Sequence, residues 1–241
     1  MTDYQDENYA YTASRSYSDW IAGALILLFT LGVLGSVAWD AYLSADKDKT
    51  GVRRILAHRW NDRTLVFPIE GSDRQGRHAV FDVVVLTKNY GWVRGSTTEL
   101  ERDETRLSPQ DIQNEVLAPQ LRQGLGSALG LIAVGLASQE GDVAREEQRG
   151  GQRAVRTAQW VQDALGDRIP MWTLNLGRYV DPCSDCEDTD TSWQRPFIVI
   201  AVRNADQGAH ISEALADAMS GTTNLPAPSR YSTFAFTKFA R

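Results

Sequence analysis

Between Trp20 and Trp39 the chain reads WIAGALILLFTLGVLGSVAW, twenty residues without one ionisable side chain. As a helix rising 1.5 Å per residue, such a run is about 30 Å long, the thickness of a bilayer's hydrocarbon core. Trp20 and Trp39 stand at its ends and Tyr42 follows, where amphipathic rings settle at the headgroup level; Asp19 and Asp40 are the first charges outside. The pattern predicts one transmembrane helix within 19–43. A buried core helix is rarely this long and apolar on every face. A cleavable signal peptide needs a basic leader, whereas the leader here carries Arg15 against Asp3, Asp6 and Glu7.

Basic residues set the expected orientation. Arg15 is alone on the amino side, while Lys47, Lys49, Arg53 and Arg54 follow the helix closely. The positive-inside rule therefore places the amino terminus outside and the carboxyl-terminal bulk in the cytoplasm of a cell-membrane protein. Within the run, Gly32, Gly35 and Ser36 form a small-residue patch that lets another helix approach closely. The tail, residues 1–18, is polar and dotted with tyrosines, Tyr9, Tyr11 and Tyr17 among them. It lacks the apolar surface to fold alone and reads either as a disordered tail or as a segment that orders on a partner, with its tyrosines as anchors.

Residues 44–60 read as a charged stalk that turns amphipathic, with Val52, Ile55, Leu56 and Trp60 at helical spacing. Residues 61–241 are expected to form one α+β domain, a mixed and mostly antiparallel sheet with packed helices. Thr64–Ile69 and His78–Thr87 are β-branched runs joined by the turn-like GSDRQGR, a hairpin signature. Ala79, Phe81, Val83 and Val85 share one face of the second run and Val80, Val84 and Leu86 the other, so that strand is expected to be central. Tyr90, Trp92 and Val93 start a further short strand. Ser108 with Pro109 and Asp111 marks a helix start. Gly124–Ser138, uncharged but too short to span a membrane, is expected to be a buried helix, with a re-entrant or membrane-dipping helix as the alternative. Gly150 and Gly151 read as a hinge ahead of an amphipathic helix. Strands over Trp172–Leu176 and Phe197–Val202 are expected to close a long hairpin across the polar loop between them, before a helix around Ile211–Met219 and a last strand over Tyr231–Phe239.

Motifs with chemical content are sparse. Cys183 and Cys186 in DPCSDCEDTD have the spacing of a disulfide, a redox pair or half of a zinc site. A tetrahedral zinc needs four ligands, and no second C-x-x-C exists to complete it within one chain. The surrounding acids discourage thiolates, so a loop-stabilising or incidental pair is the leading reading, with zinc as the alternative cofactor. Asp82 within an apolar strand reads as a hydrogen-bonded structural carboxylate, and His58 and His78 lack an identifiable partner. The chain has no G-x-S-x-G elbow, phosphate-binding P-loop or H-E-x-x-H helix, and a formal charge of −6 argues against nucleic acid as the partner.

These features point to a membrane-anchored, non-catalytic accessory or scaffold subunit without a cofactor of its own. Trp20, Gly32, Gly35, Ser36, Trp39 and Tyr42, with Tyr9, Tyr11 and Tyr17, are the candidate contacts to the membrane and to other subunits, or to a second copy. In architecture alone, without a shared motif, this plan resembles accessory subunits of energy-transducing membrane complexes, the reaction-centre H subunit among them. A metal or redox protein built on Cys183 and Cys186, and a membrane-tethered sensor working through the Gly150–Gly151 hinge, are the alternatives.

Overall fold

The alternation of apolar residues along His78–Leu86 dictates the centre of the fold. In the computed structural model, which describes residues 57–87, 89–180, 191–220 and 227–240, this segment is strand β3, paired on one side with β2 (Thr64–Ser72) and on the other with β9 (Ile198–Ala205). The β2–β3 hairpin runs in unbroken register from Thr64↔Leu86 to Ser72↔His78. A short β1 (His58–Asn61) pairs only with residues 64–66 of β2. Pro68 lies beyond the end of β1, so its missing N–H removes no ladder bond there. β1 also takes up the end of the predicted stalk: the backbone at 58–61 is a bulged edge strand rather than helix.

Among the described residues the main sheet has seven strands in the order β1-β2-β3-β9-β7-β8-β10, with β7 at Gly130–Ala137, β8 at Met171–Arg178 and β10 at Ala235–Lys238. Every pairing is antiparallel except β7 with β8. A parallel neighbour requires a crossover, supplied by the helix Val143–Leu165. A second, three-stranded antiparallel sheet comprises β4 (Tyr90–Trp92), β5 (Leu100–Arg102) and β6 (Thr105–Arg106). Four helices accompany the sheets among the described residues: α1 (Pro109–Asp111), running into a π-helical turn at Ile112–Val116, α2 (Pro119–Gly126), α3 (Val143–Leu165) and α4 (Ile211–Ser220). This is the α+β arrangement of a mixed, mostly antiparallel sheet. None of these helices is long and apolar enough to cross a membrane; the predicted span, with Trp20, Gly32, Gly35, Ser36, Trp39 and Tyr42, and the tail tyrosines lie outside the described residues.

Three sequence expectations are corrected. The run 124–138 is not one helix: α2 ends at Gly126 and β7 begins at Gly130. All eight residues of β7 are buried, because the strand is covered on both faces and therefore shows no alternation. Second, β8 and β9 do not form a hairpin, since β7 lies between them. Third, Gly150 and Gly151 do not break the chain: α3 continues through both, its amino end capped by the Asp142 carboxylate accepting from Ala144 N and Arg145 N.

Those glycines set distance rather than flexibility. A Cβ on Gly135 of β7 would come within 1.9 Å of Gly150 O and 2.4 Å of Ala154 N. Helix and strand thus touch backbone to backbone. On the opposite sheet face, a Cβ on Gly71 of β2 would lie 2.2 Å from Ala214 O of α4. The face under α4, the first of the two, buries Ile69, Phe81, Val83, Ile132, Val134, Leu174 and Ile200 with Ala214 and Leu215 of α4. The second buries Val66, Val84, Leu131 and Val199 with Ala158 and Val161 of α3, Leu121 and Leu125 of α2, and Trp92 and Leu100 of the small sheet.

Candidate functional site

Where β7 ends and α3 begins, the chain must turn while the small sheet packs against the same place. Irregular backbone there exposes carbonyls that no ladder satisfies, and buried carbonyls need donors. Arg153 supplies three. It is 1% exposed, and its guanidinium donates to Ser96 O (2.9 Å), Leu136 O (2.9 Å) and Val93 O (3.1 Å), joining the loop after β4 to the end of β7. The guanidinium lies 5.4 Å from the centre of the Trp92 ring, which stacks on Trp160 of α3 at 5.5 Å. Burial, and behind it the like charges of Arg149 and Arg195, pull this guanidinium down to about 9, so it remains charged at neutral pH.

Arg195 repeats the device. Its Nε donates to Trp92 O at 2.7 Å, its Nη1 to Thr191 Oγ1 at 3.2 Å, and its Nη2 lies 3.5 Å from the Glu101 carboxylate. Thr191 in turn donates to Glu140, which also accepts from Ser138 Oγ. Gln139 and Gln194 face each other with reciprocal bonds, Gln139 N to Gln194 Oε1 at 2.9 Å and Gln194 Nε2 to Gln139 Oε1 at 3.1 Å. Arg178, at the end of β8, donates from Nε to Gln139 O at 2.8 Å. Beside it a depression of about 220 Å³ is lined by Gln139, Arg178, Tyr179 and Val180. Trp193, 45% exposed, stands edge-on to Tyr179 at 5.3 Å.

This assembly lies at the carboxyl ends of the parallel pair, the place where open sheets with crossover helices present their functional groups. Its chemistry is that of a tie. Arg153, Arg178 and Arg195 are engaged by main-chain carbonyls, and Glu140 is surrounded by hydroxyl donors with Arg94 Nε at 3.9 Å. Among the described residues no group of three or more histidine, cysteine, aspartate or glutamate side chains is placed to hold a metal.

The residues singled out from sequence fall elsewhere. Cys183 and Cys186 lie outside the described residues. Asp82 accepts from Arg203 Nε at 2.7 Å while Arg203 Nη1 donates to Gly124 O at 2.9 Å, a hydrogen-bonded structural carboxylate. His58 is exposed in β1; His78 Nδ1 shares a 3.1 Å hydrogen bond with Ser72 Oγ across the hairpin. The turn joining β2 to β3 is organised by Asp73. Burial alone would raise its carboxyl, yet donation from the backbone of His210, Arg77 and Gln75 and from the Arg77 guanidinium holds it far below the ordinary carboxylate value. Sequence reasoning missed Arg153 and Arg195. For Arg153 a signal existed: it sits one residue before Ala154 on the stripe Ala154, Ala158, Val161, a cation on an apolar helix face. Comparison against protein families, curated proteins and solved structures finds no match for this chain.

Proposed function

We propose that the chain is a single-pass membrane-anchored, non-catalytic accessory or scaffold subunit of a larger membrane assembly. The observation that carries this reading is the uncharged run Trp20–Trp39 with its aromatic ends. Gly32, Gly35 and Ser36 offer the helix-packing patch, the tail offers Tyr9, Tyr11 and Tyr17, and the amino terminus faces outward with the domain in the cytoplasm. The domain is compatible with a scaffold role in that Arg153 and Arg195 tie the small sheet to the crossover helix and the main sheet.

The test is alkaline carbonate extraction of membranes containing the full chain. The protein is expected to stay in the pellet, and the double substitution Leu27→Arg, Leu28→Arg, costing about 2.5–3.5 kcal/mol per arginine near the middle of a span, is expected to release it. Release of the unaltered chain would overturn the reading. Protease added to intact cells is expected to trim the tail and spare the domain; cleavage of the domain would reverse the orientation.

A further inference from the structure

We propose that the outward face of α3 is a docking groove for an extended acidic segment of a partner protein, gripped by the Arg156 guanidinium. The groove encloses about 500 Å³ and is lined by Thr97, Gln148, Gln152, Val155, Arg156 and Gln159, together with the backbone at Gly151. Among the described residues no carboxylate lines it. The volume is in the range of ligand-binding clefts.

Arg156 is the distinctive group. Other half-buried guanidiniums are engaged: Arg77 by Asp73, Arg102 by Glu115, Arg149 by Glu146, Arg178 by Gln139 O and Arg203 by Asp82. Arg156 is half-buried too, yet it makes no hydrogen bond or ion pair among the described residues. Arg122 shares that state but does not line the groove. A guanidinium drawn partly out of water without an anion gains from a carboxylate, which it can hold through two parallel N–H bonds.

The rest of the lining argues for a polypeptide rather than a small anion. Gln148, Gln152, Val155 and Gln159 are spaced four, three and four residues apart and so share one face of α3. Each carboxamide presents a donor and an acceptor, the complement of a peptide group. From Gln148 to Gln159 the helix rises roughly 16 Å, about the length of five residues of extended chain. Val155, 41% exposed, gives the row an apolar floor. The opposite wall is already fixed, since Arg153 holds Ser96 O and Ser96 Oγ accepts from Thr98 N and Glu99 N, locking the loop that carries Thr97. A prebuilt wall lowers the ordering cost of binding.

The occupant's being a protein rests on the subunit reading, but the test does not depend on the anchor. The full chain in mild detergent, with glutamine side-chain amides labelled for NMR, is titrated with the peptide acetyl-Ala-Ala-Glu-Ala-Ala-amide, with its Glu→Gln counterpart, and with sodium acetate. The acidic peptide is expected to shift the carboxamide signals of Gln148, Gln152 and Gln159. Both the Gln counterpart and the variant Arg156→Gln are expected to weaken binding by about tenfold or more, as for the loss of a charge-assisted hydrogen bond. Absence of shifts at millimolar acidic peptide, equal binding by the Gln counterpart, or the same shifts at all three glutamines from acetate alone would each overturn the proposal. If Arg156→Gln fails to fold, the two peptides on the unaltered chain still decide it. Carbonate release with intact peptide binding would sink the anchor and keep the groove; the reverse would keep the anchor and sink the groove.

Discussion

The two faces of the main sheet are sealed by different means. On the first, α4 lies over β2 with Gly71 beneath it, and its polar ties sit at the end of the hairpin: Ser72 N donates to Asp217 Oδ2 at 2.8 Å, Arg74 N to Glu213 Oε2 at 3.1 Å and His210 N to Asp73 Oδ2 at 2.9 Å. On the second, α3 descends onto Gly135 while a separate three-stranded sheet arrives beside it, and the ties run through the interior as Arg153 and Arg195. A single helix satisfies its own backbone, so aliphatic side chains suffice to seal it. Two elements converging with a loop between them leave carbonyls facing inward, and long cationic side chains with several donors can join more than one of them at once. The crowding has a cost: Trp92 Nε1 and Thr157 Oγ1 are buried without a hydrogen-bond partner among the described residues.

The contrast breaks first at Arg153. Replacing it with leucine leaves the carbonyls of Val93, Ser96 and Leu136 without that donor and is expected to cost about 3–5 kcal/mol, read as a lowered urea midpoint of the full chain in mild detergent. A loss below about 1 kcal/mol would show that water replaces the guanidinium and that the second face is not held by it. Next come the close-approach glycines. Gly135→Ala and Gly71→Ala each drive a methyl into backbone atoms and are expected to cost about 1–3 kcal/mol, with comparable losses because both contacts are main chain. A neutral Gly135→Ala would mean that α3 rides higher than described.

Acid sharpens the comparison through a carboxylate on the first face. The Asp73 carboxyl is depressed in the folded state, so its contribution is present above the unfolded value of about 4 and is lost as pH falls from there toward the folded value. Stability of the unaltered chain is expected to decline below about pH 4, and Asp73→Asn to flatten that decline while leaving neutral-pH sensitivity to Arg153→Leu intact. An unchanged acid limb in Asp73→Asn would reassign it to other carboxylates. The smallest effect belongs to the start of α1, where Ser108 and Asp111 form a reciprocal capping box that holds the Asp111 carboxyl below its ordinary value. Ser108→Ala is expected to lose about 1 kcal/mol by the same denaturation assay.

How much of this was legible follows the same division. The β2–β3 hairpin, the central two-sided β3, the short β4, the Ser108 start and the helix over Ile211–Ser220 could be read because period, turn and cap signals are local. The run 124–138 misled because a strand buried on both faces loses its alternation, and its small residues pass for helix. Placing β7 between β8 and β9 is a long-range choice that no local pattern encodes. The arginine ties were hidden for a related reason: the partners of Arg153 are the main-chain carbonyls of Val93, Ser96 and Leu136, which a residue of any type would present. The contacts expected at Trp20, Gly32, Gly35, Ser36, Trp39, Tyr42 and the tail tyrosines, and the pair Cys183 and Cys186, fall outside the described residues.

The most direct test of the subunit reading is affinity purification of the intact chain from membranes in mild detergent, followed by mass spectrometry, beside a variant lacking residues 1–43. The account predicts stoichiometric membrane-protein partners that disappear with the anchor. A monodisperse monomer with no co-purifying protein would contradict it.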